Sequence, residues 1–365
     1  MSSADPFHLY STRCRAARAR PCREDGGVDQ DAATALDVAI GARYRRFAEV
    51  EAPGRSALYA EWAAGVASDA GARAILAQIP ETHRQPPLVF AVTRLLGAPE
   101  SDYRAWAHWL AAHARAVVVE CSARSIQTNE PLRCAALLPA LSLVDGPIAL
   151  LEVGASAGLC LYPDRYSYRY ATEEGVLALD PAAGVSPVVL ESALNDSALV
   201  GVPPLRMPEI VWRAGIDLHP RDARDTDDRR WIEGLAWPGE TGRVERITAA
   251  LDIAAAEPAL MAAGDASVLL AEIAALAPRD ATLVVTTPGI LAHVPRRDRA
   301  AMIAAARAAG RWITIDEPGL HDGWTAVPEP WPGRFALGLD GEILAAVDPL
   351  GASVEWLRAN SATPS

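Results

Sequence analysis

The stretch 148-IALLEVGASAGLCLYPDRY-166 decides how this chain folds. Its first six residues, Ile148 to Val153, make an apolar run with the length of a buried parallel strand, and glycine-rich sequence follows at once. Asp145-Gly146-Pro147 precedes it as a break. Downstream, "DASVLLAEIAAL" reads as a helix, "ATLVVTT" as a strand, "RRDRAAMIAAARAAG" as a helix closed by a left-handed Gly310, and "RWITIDEP" as another strand. Alternation of this kind predicts a parallel sheet with helices on its faces. The end differs: "FALGL" and "EILAAV" flank Asp340-Gly341, which predicts a two-residue hairpin, and "ASVEWL" follows it. The expected class is α/β, a Rossmann-like, mostly parallel sheet with an antiparallel C-terminal edge. The segment from 171 to 240 is rich in proline and turns. The second strand is either "YSYRY", just before this segment, or the strand ending at Asp217 within it.

Upstream of residue 146 the pattern is helical. Tyr103, Trp106, Leu110 and Val117 share one helical face, and Leu58, Trp62 and Val66 another. The division expected is a disordered arm over 1–34, a helical domain over 35–145, the sheet domain over 146–358 and a disordered tail over 359–365. The arm carries five arginines between 13 and 23 and then "EDGGVDQD".

Composition narrows the function. The net charge of -12 argues against a broad nucleic-acid surface. All 34 basic residues are arginine. Without lysine there is no Walker-type phosphate-binding lysine, no pyridoxal phosphate Schiff base and no lysine nucleophile. Five cysteines without a C-x-x-C pair fit a reducing compartment, and no metal site is expected. His108 and His113 are five apart, which is wrong for two ligands one helical turn apart. With no membrane span and no signal core, the expected location is the cytoplasm.

Two motifs overlap in the opening stretch. Gly154, Ser156 and Gly158 satisfy G-x-S-x-G, the nucleophile elbow of serine hydrolases. Asp265 or Asp316 with His293 or His321 could complete a triad, but the strands that should precede an elbow are missing. Glu152, Gly154 and Gly158 also satisfy E-x-G-x-x-x-G, a glycine loop that holds S-adenosylmethionine in many methyltransferases. Gly154 permits a tight turn, Gly158 leaves room for the ligand, and Glu152 sets a carboxylate near a cationic cofactor. Asp217 would take the ribose hydroxyls and Asp265 would lie near the adenine. An N-cap or turn role competes for each aspartate. His293 and Asp316 are the candidate bases, competing with packing and turn roles.

The glycine loop together with "QTNE" (127–130), "DRYSYRY", "RAGIDLHP" and "WPGE" resembles a bacterial family known only as domain of unknown function 2332. The resemblance runs from about residue 38 to near the end. It implies a helical region fused to a methyltransferase-like domain and no established reaction. Its motif positions here are Gln127, Thr128, Asn129, Glu130, Glu152, Gly154, Ser156, Gly158, Asp164, Arg165, Tyr166, Asp217, Trp237 and Pro238. Cys160 stands where the pattern has asparagine, Thr286 and Thr287 lie where a histidine is frequent, and Leu350 replaces a histidine before Gly351. Thr128, Asn129 and Glu130 either cover the cofactor or start the next helix. "DRYSYRY" reads as core tyrosines alternating with outward arginines, and "WPGE" as a turn over Trp237.

The expected function is methyl transfer from S-adenosylmethionine to a small-molecule or protein acceptor. A non-catalytic ligand-binding protein and a Ser156 hydrolase are the alternatives.

Overall fold

β1 (Ile148–Val153) is buried at all six positions, as a strand covered on both faces must be. In the computed structural model, which describes residues 26–195, 204–321, 324, 331 and 333–357, it sits in an eleven-stranded sheet. Parallel neighbours flank it: β5 (Ile210–Asp217) on one side and β7 (Thr282–Pro288) on the other. β6 (Leu260–Ala263) extends the first side and β8 (Arg311–Asp316) the second, both parallel. The order β6-β5-β1-β7-β8 reverses direction at β1, so the crevice beside its carboxyl end is a topological switch point.

Helices cover both faces. Ile148 and Leu150 point into a core with Val284, Ile313 and Ile315, roofed by α6 (Arg133–Leu141) and α8 (Arg243–Ala256). Leu151 and Val153 point the other way, toward Leu270 and Ile273 of α9 (Ala266–Ala274) and Met302, Ile303 and Ala306 of α10 (Arg296–Ala309). Gly310 is not the left-handed cap expected at the end of α10. Its backbone is extended, at φ -176 and ψ -156. A Cβ there would lie 2.3 Å from the Leu283 carbonyl oxygen, so close approach to β7 explains the glycine.

The hairpin forms as read: β9 (Phe335–Leu339) and β10 (Glu342–Val347) pair through Leu339 and Glu342. Asp340 and Gly341 both have positive φ, 53 and 91, as a type I′ turn requires. β9 borders the parallel half through β8, antiparallel. The hairpin is not where the sheet stops. β11 (Ser353–Trp356) pairs parallel with β4 (Val189–Leu194), and β2 (Ser167–Thr172) and β3 (Gly175–Leu179) continue beyond it. The C-terminal strands therefore join two halves of one mixed sheet. "YSYRY" belongs to β2 in the far half, and the strand beside β1 is the one ending at Asp217. Tyr166, Tyr168 and Tyr170 are buried, with Arg169 turned outward, as alternation predicted.

The N-terminal region is helical: α1 (Gly26–Arg46), α2 (Ala57–Ser68), α3 (Ala70–Leu76), α4 (Pro86–Leu95) and α5 (Tyr103–Ala123). α1 starts inside the stretch expected as an arm. Residues 1–25 and the tail from 358 lie outside the described residues. Trp62, Trp106, Phe90 and Tyr59 form an aromatic core, each burial contributing roughly 1.5–3 kcal/mol. α7 (Thr226–Gly234) lends Trp231 to that core, and Trp237 packs on Phe47 and Tyr59, so the turn "WPGE" ties the helices to the sheet. Among the described residues no helix is long and apolar enough to cross a membrane.

Candidate functional site

The loop after β1 turns three times through the left-handed region: φ is 77 at Gly154, 50 at Ser156 and 71 at Gly158. Ser156 has no steric exemption there, and its conformation costs on the order of 1–2 kcal/mol. Backbone contacts hold it in place. Ser156 N donates to Asp217 Oδ2 at 2.8 Å, and Ser156 O accepts from Arg221 N at 3.0 Å. Gly154 N and Ala155 N both donate to Ile216 O. The loop is thus a rigid extension of β5 as well as of β1. A short 3-10 turn, Leu159–Leu161, follows it in place of an α-helix. The crossover to β5 then runs through β2, β3 and β4.

Gly154 and Gly158 are shaped by protein contacts. A Cβ on Gly154 would come within 2.6 Å of Ile290 Cδ1, and one on Gly158 within 3.0 Å of Leu161 Cδ1. Ile290 belongs to the loop between β7 and α10, which Asp316 anchors by accepting from Leu291 N at 3.1 Å.

Glu152 is 4% exposed, and burial pushes its carboxyl well above the ordinary range, with the Cys160 thiol adding and Arg133 opposing. Its Oε2 has no hydrogen-bond partner, and neither do Ser156 Oγ, Thr286 Oγ1 and Asn129 Nδ2. The residues that carry these atoms are neighbours along the backbone: Thr286 is the register partner of Glu152, and Asn129 Oδ1 accepts from Ala157 N, next to Ser156, at 3.2 Å. Unpartnered buried polar atoms are rare, and a group of them marks a place built for something else.

The remaining expected residues divide. Asp217 lies beside the loop, its two oxygens taken by Ser156 N and His219 N. Asp265 caps α9 by accepting from Ser267 N, the turn-and-cap role that competed with adenine contact. Glu130 is buried, and its carboxylate meets Arg246 at 2.9 and 3.3 Å and Leu132 N at 3.0 Å. Arg243 Nε lies 2.9 Å from Glu130 Oε2, an ion pair without hydrogen-bond alignment. That carboxylate clamps α8 to the loop. Thr128 is exposed. "QTNE" does not cap α6, whose N-cap is Leu132 without a side-chain bond. Gln127 instead bridges to the loop after β5, donating to His219 O and accepting from Arg221 Nε.

His293 is exposed in a 3-10 turn after β7. Asp316 is buried and pushed up to about 7, chiefly by burial, against hydrogen bonds from Thr314 and Leu291. Among the described residues the triad that an elbow needs is not assembled. Ser156 Oγ has no partner, Asp316 bonds Leu291 N and Thr314 Oγ1, and the His321 ring lies against Trp312 and Trp324.

Sequence reading missed two groups here. Arg133 reaches the carboxyl end of β7, donating to Pro288 O and Pro349 O at 3.0 Å each. Cys134 and Cys160 are buried together: burial raises the Cys134 thiol, and its hydrogen bond holds the Cys160 thiol down. Neither has a local signal, because both depend on residues brought together from different elements. Asp164 and Arg165 pair with Arg213 and Glu257.

One family model, "Uncharacterized protein conserved in bacteria (DUF2332)", matches residues 41–356. No curated protein and no solved structure matches the chain.

Proposed function

Since the chain belongs to the bacterial DUF2332 family, whose membership carries no reaction, we propose its function from the site: it binds S-adenosylmethionine at the carboxyl end of β1 and transfers the methyl group to a small acceptor. The observation that carries this reading is the set of buried, unpartnered polar atoms on Glu152, Ser156, Thr286 and Asn129 around a glycine loop at the switch point. These residues suit a polar, cationic ligand on the chemistry of their side chains: one carboxyl, two hydroxyls and an amide. Antiparallel β9 beside β8 is a further feature shared with methyltransferase-type sheets.

The cofactor, when bound, supplies an already activated methyl group, so the chain has to position rather than activate. Glu152 offers a carboxyl whose proton leaves when a cation arrives, since a neighbouring positive charge favours the ionised form. Ile290 lies over Gly154, so entry requires the loop 289–295 to lift, and its return excludes water. Where the acceptor must lose a proton, Asp316 is suited by its poise near neutrality and exposed His293 by its place on the same loop.

The test is calorimetric titration with S-adenosylhomocysteine of wild type and of a folded Gly154→Val variant. Binding to wild type that is lost in the variant supports the reading, and no binding to folded wild type overturns it. Binding without transfer across a broad acceptor panel would leave a non-catalytic ligand protein. A second reading rests on Ser156 alone, whose positive φ is the backbone habit of a nucleophile elbow. Fluorophosphonate labelling that disappears in Ser156→Ala would favour it.

A further inference from the structure

A cavity of about 330 Å³ opens between the helical region and the loop that follows β5. Its lining is His83, Ser122, Ala123, Arg124, Ser125, His219 and Arg221, with no acidic residue among them. In a chain of net charge -12, a hollow with two guanidinium groups and two imidazoles is out of keeping with the rest of the surface.

The cavity is coupled to the glycine loop by covalent distance and by hydrogen bonds. His219 and Arg221 stand two and four residues beyond Asp217, and Arg221 N donates to Ser156 O at 3.0 Å. Gln127 holds the wall together, donating to His219 O at 3.1 Å and accepting from Arg221 Nε at 2.9 Å. We propose that this cavity seats an anionic group, a carboxylate or phosphate, of the methyl acceptor, which makes the substrate an acidic small molecule. The proposal rests on the reading of the β1 loop as the reaction face.

Electrostatics supports an anion only after its competitors are counted. Glu120 pairs with Arg124 Nε, and Asp228 with Arg221 Nη1 at 3.0 Å. The carboxyl end of α5 adds the negative end of its dipole, about half a charge. Each acid meets one edge of its guanidinium, and the fork leaves donors on the other edge. Trp231 supports the Arg124 guanidinium, 4.5 Å from its ring centroid, which holds the fork in a defined plane. Arg84, the chain neighbour of His83, has buried Nε and Nη1 atoms with no hydrogen-bond partner. Thr82 Oγ1 meets His83 Nδ1 at 2.8 Å and so orients that ring. Ser125 adds a hydroxyl.

The experiment titrates the full chain with inorganic phosphate and, separately, with succinate, following amide shifts by NMR, and titrates S-adenosylhomocysteine by calorimetry. Arg124→Gln and His219→Glu are the variants, the second at an exposed position where the fold is safe. Wild type is expected to bind at least one anion at millimolar concentration, more weakly in high salt. Each variant should weaken it about tenfold while leaving S-adenosylhomocysteine affinity unchanged. Binding of phosphate over succinate assigns a phosphorylated acceptor, and the converse a carboxylate. The proposal is overturned if neither anion binds, or if both folded variants bind as wild type does. Anion binding without S-adenosylhomocysteine binding would overturn the cofactor reading and keep the anion site.

Discussion

Two buried glutamates, 22 residues apart in the chain, meet opposite fates in this fold. Glu130, 1% exposed, has Arg243 and Arg246 on its carboxylate and is the pin between α8 and the loop before α6. Glu152, 4% exposed, has no such partner, and burial drives it toward the neutral acid. The difference separates a carboxylate that holds the molecule together from one that the fold tolerates at its own expense. Buried pairs are costly to break, whereas a buried group without a partner costs stability all the time it is there.

The comparison breaks first at Glu130. Glu130→Ala strands Arg246 and leaves Arg243 with Glu240 alone, and should cost about 3–5 kcal/mol in urea unfolding. A loss below 1 kcal/mol would show the clamp to be ornamental. Asp316 gives the next largest effect and resembles Glu152, not Glu130. Its folded pKa of about 7 lies above the ordinary 3.8, so the folded state holds the proton more tightly. Its stabilising preference is complete below the unfolded value and is lost as pH rises through the folded one. Asp316→Asn should therefore gain on wild type by up to about 4 kcal/mol between roughly pH 4 and pH 8, read as the difference between two pH–stability curves. Parallel curves would contradict the shift.

Gly154→Val forces a β-branched residue to positive φ against Ile290 and should lose about 2–4 kcal/mol, measured by thermal melting with the fold checked by circular dichroism. Glu152→Gln should be tolerated, since burial favours the uncharged form of the carboxyl that the amide mimics. Its advantage over wild type should widen as pH climbs above the ordinary carboxyl value of 4.5, while S-adenosylhomocysteine affinity falls. A variant that unfolds like Glu130→Ala would erase the contrast between the two carboxylates. The smallest effect is at Ser156→Gly, which relieves the strained backbone and should stabilise by up to about 1 kcal/mol.

Much of this was legible from residue order, and the parts that were not have identifiable causes. β1, β7, β8, α9 and α10 announce themselves because continuous apolar runs and helical periodicity are local properties. The hairpin is legible because Asp340-Gly341 accepts positive φ at both positions. β4 hides because Ser192 and Ala193 blur its alternation, and β3 because four of its five residues face solvent. The loop at Gly154 was visible as a motif, and so was its attachment to β1. Which polar atoms lack partners was not visible, since that depends on Thr286 and Asn129 arriving from elsewhere. Glu130 shows the opposite difficulty: its partners sit 113 and 116 positions away, and no local pattern joins them.

The place of the C-terminal strands has a consequence for how the chain assembles. β9, β10 and β11 lie between the half of the sheet built on β1 and the half built on β2 and β4. A ribosome therefore delivers both flanks long before the strands that join them, and β4 waits with an open edge for β11, about 160 residues later in the chain. During that interval two incomplete sheets with unpaired backbone coexist on one nascent chain, the condition under which edges find the wrong neighbour. Folding of this protein is expected to be gated by its last strands, with a slow closing step that depends on Ser353 to Trp356 and a persistent need for protection until they emerge.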